Sequence, residues 1–396
     1  MLFCEILFWF SIICIFYHYL VYPLIIKLLS RSKSENTNVF LEKDSLPKVS
    51  ILMSVFNEEK VIFEKIESVF ETNYPLEKLE LIVGSDNSVD KTNDILLSLS
   101  PKYNSLQIFI FQQRQGKINI INNLVEKTNG EILILTDANV FFEKKTIFEL
   151  VKHFKNAEIG LVGSNIINIG INQNGISLQE SFYTSRESQI KHNEGNIWGT
   201  MMGPFGGCFA MRKNLFQKVP PNFLVDDFFI NMKVLEQEKK SINSLSAKVY
   251  EDVSNHFREE FRRKVRISTG NFQNLYAFFH LFFRKNKLNF GLGFSFLSHK
   301  VLRWLGPFFL ILIFFTNIFL LFQNKFYLIL FFIYIFSFFI PFFDFLLKKI
   351  SFNISFFRFI SHFYGMNFAL FIGFFRYLKG VKSSIWKPTE RNQTKN

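Results

Sequence analysis

Cysteine is scarce in this chain. Cys4, Cys14 and Cys208 are the only three in 396 residues. Three thiols so spaced offer neither a disulfide framework nor a cysteine metal cage, which fits a reducing compartment. Charge is absent from three long stretches: Ile6 to Ile26, Trp304 to Phe322 and Phe326 to Phe343 contain no Asp, Glu, Lys or Arg. Each approaches the roughly 20 apolar residues that cross a bilayer. The first run has Glu5 and no basic residue ahead of it, and no small-x-small site follows it, so a cleaved signal peptide is not expected. Lys27, Arg31 and Lys33 follow instead, which predicts an anchor with the next domain in the cytoplasm. No nucleic-acid motif is present, so no nucleic-acid partner is expected.

What the chain has in excess is apolar and basic character. Hydrophobic residues make up 48%, Phe alone numbers 55, and the formal net charge is +13. From His256 to Arg303 there are ten Lys or Arg against two Glu, which suggests anionic lipid headgroups or a polyanionic substrate. Asn271 to Phe283 is aromatic and almost uncharged, with Arg284, Lys285 and Lys287 behind it, and reads as an amphipathic helix at the membrane interface. Ile354 to Tyr377 is apolar enough to span but carries Arg358, His362, Asn367 and Arg376, so a span and an interfacial segment both fit. The expected partition is an anchor over 1–30, a linker over 31–47, a catalytic domain over 48–270, an interfacial segment over 271–300, membrane helices over 301–380 and a basic tail over 381–396.

Between the anchor and the membrane helices the pattern alternates. Val49–Val55, Leu79–Val83, Leu106–Phe111, Glu131–Leu135 and Ile159–Val162 read as strands. Glu58–Phe70, Asp90–Leu99, Lys117–Lys127 and Thr146–Phe154 between them read as helices. This is the signature of βαβ units and a mainly parallel sheet. A further helix is expected around Leu178 to Ile190, and regular structure over Phe209 to Leu215 and Phe228 to Leu235.

Ligands bind such sheets at the carboxyl ends of the strands. Glu58 follows the first strand and could hold a ribose or base edge, or simply open a helix. Asp86 follows the second and could accept from a base NH, or shape a turn with Asn87. Arg114 and Lys117 flank Gly116 after the third strand, where cations can neutralise phosphate. Asp137 and Asn139 end the fourth, and their oxygens suit Mg²⁺ or Mn²⁺ when phosphates complete the shell. Asp226 and Asp227 lie within an apolar stretch, where like charge raises one pKa and favours a proton acceptor. Arg266, in the basic run from Arg262, could close over a leaving diphosphate or belong to a membrane-surface helix.

In this order the motifs resemble the family 2 glycosyltransferases of the GT-A fold. The membrane-embedded branch, with cellulose, hyaluronan and poly-N-acetylglucosamine synthases, is the closer likeness. The matching pieces are Val55-Phe-Asn-Glu-Glu59, Ser85-Asp-Asn-Ser-Val-Asp-Lys-Thr92, Gly116-Lys117 with Asn122 or Asn123 behind it, Thr136-Asp-Ala-Asn139, Gly206-Gly207 before Ala210-Met-Arg212, Asp226-Asp227 and Trp386-Lys-Pro-Thr-Glu-Arg391. The resemblance implies an α/β GT-A sheet with terminal membrane helices and an inverting transfer from a nucleotide-sugar donor, UDP-linked by expectation. It places Asp86 at the nucleotide, Asp137 at the metal and diphosphate, Asp227 as the base, and Arg266 as the arginine of a Gln-x-x-Arg-Trp motif. That motif reads Arg263-Lys-Val-Arg-Ile267, without its Gln and Trp, and Asn139 stands where many relatives have Asp. The acceptor is expected to be a polysaccharide or a lipid-linked saccharide. Single addition to a lipid carrier and a catalytically silent scaffold are the rival readings. The spans are few for a self-contained channel, so an oligomer or partner subunits would supply the rest. A bacterial inner membrane is the expected setting.

Overall fold

A computed structural model describes all residues except 34, 172–175, 284–287, 351, 353, 384 and 386–396. The basic residues 284, 285 and 287 and the expected C-terminal signature at 386–391 therefore lie outside the described residues. The chain opens with α1 (Leu2–Phe16) and α2 (Tyr22–Ser30), joined by a π-helical turn at Tyr17–Val21. Alternation then follows the hydrophobic spacing: β1 (Val49–Val55), α3 (Ile62–Phe70), β2 (Leu79–Asp86), α4 (Thr92–Leu99), β3 (Leu106–Phe111), α5 (Lys117–Val125) and β4 (Ile132–Thr136). Next come β5 (Val140–Phe142), α6 (Thr146–Val151), β6 (Ile159–Ile169), α7 (Ser177–Trp198), β7 (Cys208–Arg212), α8 (Asp226–Glu236), β8 (Lys240–Asp252) and α9 (Phe257–Phe278). The chain continues with α10 (Asn289–Ser295), α11 (Leu302–Trp304), α12 (Gly306–Leu320), α13 (Lys325–Lys349) and α14 (Ser355–Leu378).

The strands form one sheet in the order β3-β2-β1-β4-β7-β6-β8-β5. β3, β2, β1 and β4 are mutually parallel, and β8 is parallel to β6. β7 runs antiparallel to both β4 and β6, and β5 antiparallel to β8. The apolar runs of β1, β2 and β4 are buried on both faces, as parallel strands covered by helices must be. Ile51, Met53 and Val83 pack with Ile62 and Ile66 of α3 on one face. Leu52, Ile82 and Leu133 pack with Ile120 of α5 and Ile230 of α8 on the other. The chain leaves β1 toward β2 and β3, then returns to place β4 on the other side of β1. That reversal opens a crevice at the strand ends.

Several expectations change. β8 was not foreseen: its buried positions include Ser241, Asn243 and Ser244, so no apolar alternation announces it. The expected boundary at 270 falls inside one helix, because the basic segment and the aromatic segment are continuous in α9. Part of the aromatic segment is core: Phe272 and Phe278 are buried, while Tyr276, Phe279 and Phe283 keep an exposed apolar face.

Leu2–Ser30 and Lys325–Lys349 are long and apolar enough to cross a membrane. Phe290–Trp304 and Gly306–Leu320 form a pair bent by 59°, a further span if the pair is read as one. The ambiguous C-terminal stretch is α14, which packs along α9. A Cβ at Gly373 would meet the Thr269 amide nitrogen at 3.0 Å, so glycine permits this close approach.

α7 ties these parts together. Its sequence is polar around its whole circumference, yet Gln179, Glu180, Glu187, Lys191, Asn193 and Glu194 are buried. A helix of this kind needs ionic partners. Glu180, Glu187 and Glu194 recur every two turns and so share one face. Glu180 accepts from Lys264 Nζ of α9 at 2.8 Å and from His362 Nε2 of α14 at 2.7 Å. Glu187 accepts from Lys300 Nζ at 2.5 Å and from Arg303 Nη1 and Nη2 at 2.9 and 3.2 Å. Glu194 accepts from the Tyr22 hydroxyl and His299 Nδ1, both at 2.7 Å.

Removing one partner from a buried ion cluster leaves the others uncompensated, at a cost of about 3–5 kcal/mol. Glu187→Ala is therefore expected to lower the thermal midpoint of the full chain sharply. Glu158→Ala, at the exposed Lys240 pair, should cost no more than about 1 kcal/mol. Equal midpoints for the two variants would refute the role given to α7.

Candidate active site

The carboxyl ends of the parallel strands β1, β2 and β4 place Glu58, Asp86 and Asp137 along one edge of the sheet. Asn57 and Asn87 take left-handed conformations, φ 54° and 58°, that turn the chain out of β1 and β2. The Asp86 carboxylate accepts from the Gln115 amide at 2.6 Å and the Gly116 amide at 2.9 Å, with Arg114 Nε at 3.5 Å. Gly116, at φ 85°, is the residue that lets the backbone present those amides just before α5. Arg114 also stacks on Phe56, 3.4 Å from the ring centroid. Asp86 thus braces the turn that aims Lys117.

Lys117 Nζ donates to Asp137 Oδ1 at 2.7 Å and lies 4.0 Å from Asp226 Oδ2. Burial pulls its ammonium down, but Asp137 and then Asp226 outweigh burial and raise it above the ordinary lysine value. Asp137 is held from behind: its amide donates to the Gly207 carbonyl at 3.0 Å. Buried Lys65 donates to Thr136 Oγ1 at 3.0 Å and lies over the Phe142 ring. Burial pushes Lys65 down to about 7.

Asp226 and Asp227 open α8, where the helix dipole favours acids. The Phe228 amide donates to Asp227 Oδ1 at 2.8 Å. Burial, then the neighbouring Asp226, push the Asp227 carboxyl up to about 6. Arg266 Nη1 donates to the Leu224 carbonyl at 3.1 Å, which places its guanidinium beside the loop that leads to the acid pair.

Lys117, Asp137, Asp226, Asp227 and Arg266 all line one cavity of about 530 Å³. Glu58, Asp86, Arg114 and Asn139 are not among its lining residues. The far wall is formed by residues that the sequence reading missed, including Glu180, Tyr183, Glu187 and Lys191 of α7 and Phe363 and Met366 of α14. The one available signal was the recurrence of glutamates along a polar helix.

Among the described residues no cluster of three or more His, Cys, Asp or Glu side chains forms a metal cage. The site offers Asp137 as a charged oxygen ligand, with Asn139 two residues on; Asn139 Nδ2, a donor and no ligand, is buried without a hydrogen-bond partner among the described residues. Such a sparse set fits Mg²⁺ or Mn²⁺ held chiefly by substrate phosphates and water.

Residues 50–220 match the profile of glycosyl transferase family 2. Over those residues the chain is similar to the family 2 glycosyltransferases. The probable glycosyltransferase YdaM of Bacillus subtilis is 25% identical over 283 residues, 69% of this chain and 67% of that protein. A beta-monoglucosyldiacylglycerol synthase of Nostoc sp. is 33% identical over 173 residues, 43% of this chain and 35% of that protein. The chain thus spans about a third of that synthase's length. Among solved structures, the mannosyltransferase PcManGT of Pyrobaculum calidifontis, in complex with GDP-Man and Mn²⁺, aligns at a TM-score of 0.70 with 18% identity. That alignment covers 94% of this chain and 99% of the other. This likeness shows the fold alone, a GT-A-type sheet with the N- and C-terminal helices packed on it.

Two outcomes follow from the geometry around Asp227. A Cβ added at Gly206 would lie 2.8 Å from Asp227 Oδ2, the movable end of a side chain. Gly206→Ala should therefore fold but displace the carboxylate, lowering turnover by up to about 10²-fold. Unchanged kcat would exclude the tight fit. The second concerns stability. The fold raises the Asp227 pKa, so above about pH 6 it holds an ionised carboxylate that the unfolded chain holds more favourably. Asp227→Asn should raise the thermal midpoint above pH 6, with the gain vanishing below about pH 4, where both states are protonated.

Proposed function

We propose that this protein is a membrane-anchored inverting glycosyltransferase that moves a sugar from a nucleotide-sugar donor, UDP-linked, to a polysaccharide or lipid-linked acceptor. The observation that carries the reading is the meeting of Asp227, its carboxyl lifted toward neutrality, with the Lys117–Asp137 pair in one cavity. Asp227 takes the proton of an acceptor hydroxyl. The hydroxyl oxygen attacks the anomeric carbon from the face opposite the nucleotide, and the bond from that carbon to the diphosphate oxygen breaks. Lys117 and Arg266 stabilise the charge that gathers on the leaving diphosphate. Asp86 orders the turn that carries Arg114 and Lys117, and Glu58 stands at the nucleotide end of the crevice. Asp137 and Asn139 would hold the divalent cation, which supplies charge neutralisation at the diphosphate.

The anchor reading rests on Leu2–Ser30 and Lys325–Lys349, and the cytoplasmic placement on Lys27, Arg31 and Lys33 after the first span. A bacterial plasma membrane is the setting this reading implies. Single addition to a lipid is favoured over polymer synthesis by two features. The Gln and Trp of the acceptor motif are replaced, and α14 contributes an apolar wall to the cavity.

Membranes containing the full chain, supplied with labelled nucleotide sugars and Mg²⁺ or Mn²⁺, test the reading. Metal-dependent transfer from one donor is expected, and Asp227→Asn should abolish it. kcat/KM should rise with pH through about 6 and then level, because the base acts ionised. Equal transfer by both proteins would remove Asp227 from its role. Failure to bind any nucleotide sugar would favour the silent scaffold.

A further inference from the structure

Lys191 lies one turn after Glu187 on α7, a spacing at which Glu and Lys ordinarily pair. Here Glu187 is turned to Lys300 and Arg303 instead. Lys191 is 3% exposed, its ammonium lies 3.5 Å from the centroid of the Phe205 ring, and it makes no ion pair among the described residues. Glu194, the next acid along, is taken by Tyr22, His299 and the Met202 amide. The Glu187 carboxylate is thus taken by Lys300, Arg303 and His299, and Lys191 beside them has no ion-pair partner among the described residues. Asp227 acts on Lys191 across the cavity, but only as one of several weaker influences, behind Lys300 and Glu187. Burial, then Lys300, push the Lys191 ammonium down to about 7. A buried excess of positive charge is costly unless an anion joins it.

The surroundings say what kind of anion. Lys191, Lys300 and Arg303 line the same cavity as Asp227. So do Tyr19 from the first candidate span, Trp304 from the bent helix pair, and Phe363 and Met366 from α14. Lys300 and Arg303 themselves belong to the bent pair. The cationic corner is therefore bounded by apolar side chains of the membrane segments. The groups assigned to the donor diphosphate, Lys117 and Arg266, come from α5 and α9 instead.

We propose that Lys191, with Lys300 and Arg303, forms the headgroup site for an anionic lipid acceptor whose headgroup carries a phosphate beside the hydroxyl that Asp227 deprotonates. This rests on the glycosyltransferase reading and names its acceptor class. The lipid hydroxyl gives its proton to Asp227, its oxygen bonds to the anomeric carbon, and the nucleoside diphosphate leaves with the electrons of the broken bond. The lipid phosphate takes no part in bond making and only fixes the headgroup.

Calorimetric titration of the full chain in phosphatidylcholine nanodiscs tests this with three probes: dihexanoyl phosphatidylglycerol, dihexanoyl phosphatidylcholine and inorganic phosphate. The anionic lipid is expected to bind at least about tenfold tighter than the zwitterionic one, and Lys191→Gln should erase that preference. Lys191→Arg should retain it. The thermal midpoint of ligand-free Lys191→Gln should equal or exceed that of the wild type, since a desolvated charge is removed, and nucleotide-sugar affinity should not change. Equal affinity for the two lipids, or an unaltered preference in Lys191→Gln, would overturn the proposal. Inorganic phosphate binding as tightly as the anionic lipid would overturn its lipid source. Nucleotide-sugar affinity lost in Lys191→Gln would reassign the corner to the donor. If the wild-type chain binds no nucleotide sugar, the parent reading fails while the lipid titration still reports on Lys191.

Discussion

The contact of Glu187 with Lys300 and Arg303 fixes how the bent helix pair meets α7 and the sheet beneath it. The carboxylate is buried, as is Lys300, and Arg303 meets it with both terminal nitrogens. Coulomb attraction is strong where water is excluded, but desolvation offsets much of it, so such pairs serve position more than net stability. Position is what this fold needs. β6 and β8 carry α7, and α7 carries a line of carboxylates to which α2, the bent pair, α9 and α14 each contribute a partner. An apolar interface between the same elements could slide. A row of buried acids with matched donors has one register, and the cavity beside it inherits that register.

The other end of the cavity is partly neutralised internally. Lys117 lies between Asp137 and Asp226, bonded to the first and 4.0 Å from the second, so its one charge offsets part of theirs. Asp227 is the acid left to respond to its surroundings, and burial beside Asp226 is what moves it toward neutrality. The division of labour among four charged groups therefore follows from one lysine placed by the Asp86-braced turn. On the proposed reading, Asp137 serves phosphate and cation chemistry and Asp227 serves a hydroxyl. A second buried lysine, Lys65, bonds Thr136 from beneath the sheet and stiffens the strand end on which Asp137 sits.

Legibility in the sequence followed the type of physical signal. β1, β2 and β4 were readable because strands buried on both faces must be continuously apolar, and Asp137 was readable because it breaks such a run. β8 was not readable. Its buried serines find partners, Ser241 in Asn231 and Ser244 in Ser246, so polar residues sit where apolar ones would have announced a strand. Asp86 was found, but its hydrogen bonds to backbone amides depend on where β3 delivers residues 115 and 116, which no local pattern encodes. Lys191 was invisible for a deeper reason. Its isolation results from Glu187 choosing partners more than a hundred residues away, and by local spacing alone the two would have paired.

The altered acceptor motif takes on meaning in this light. Where the resembling family has glutamine and tryptophan flanking the arginine, this chain has Arg263 and Ile267, and Lys264 lies between them. Arg263 pairs with Glu260 at 3.3 Å, and Lys264 reaches Glu180 on α7 at 2.8 Å. Lys264 is thereby committed to holding α7, while Arg263 pairs within α9, and Ile267 presents a branched aliphatic group to the cavity instead of an indole. An indole offers a flat face and an N–H donor, which suit a sugar ring that must stack and hydrogen-bond. An isoleucine offers neither, and with Met366 and Phe363 of α14 it adds apolar surface to the same space. On the proposed reading, a ring-stacking face is absent where ionic and apolar contacts are present. That exchange matches an acceptor with an apolar body and a compact charged head better than one built of successive sugar rings.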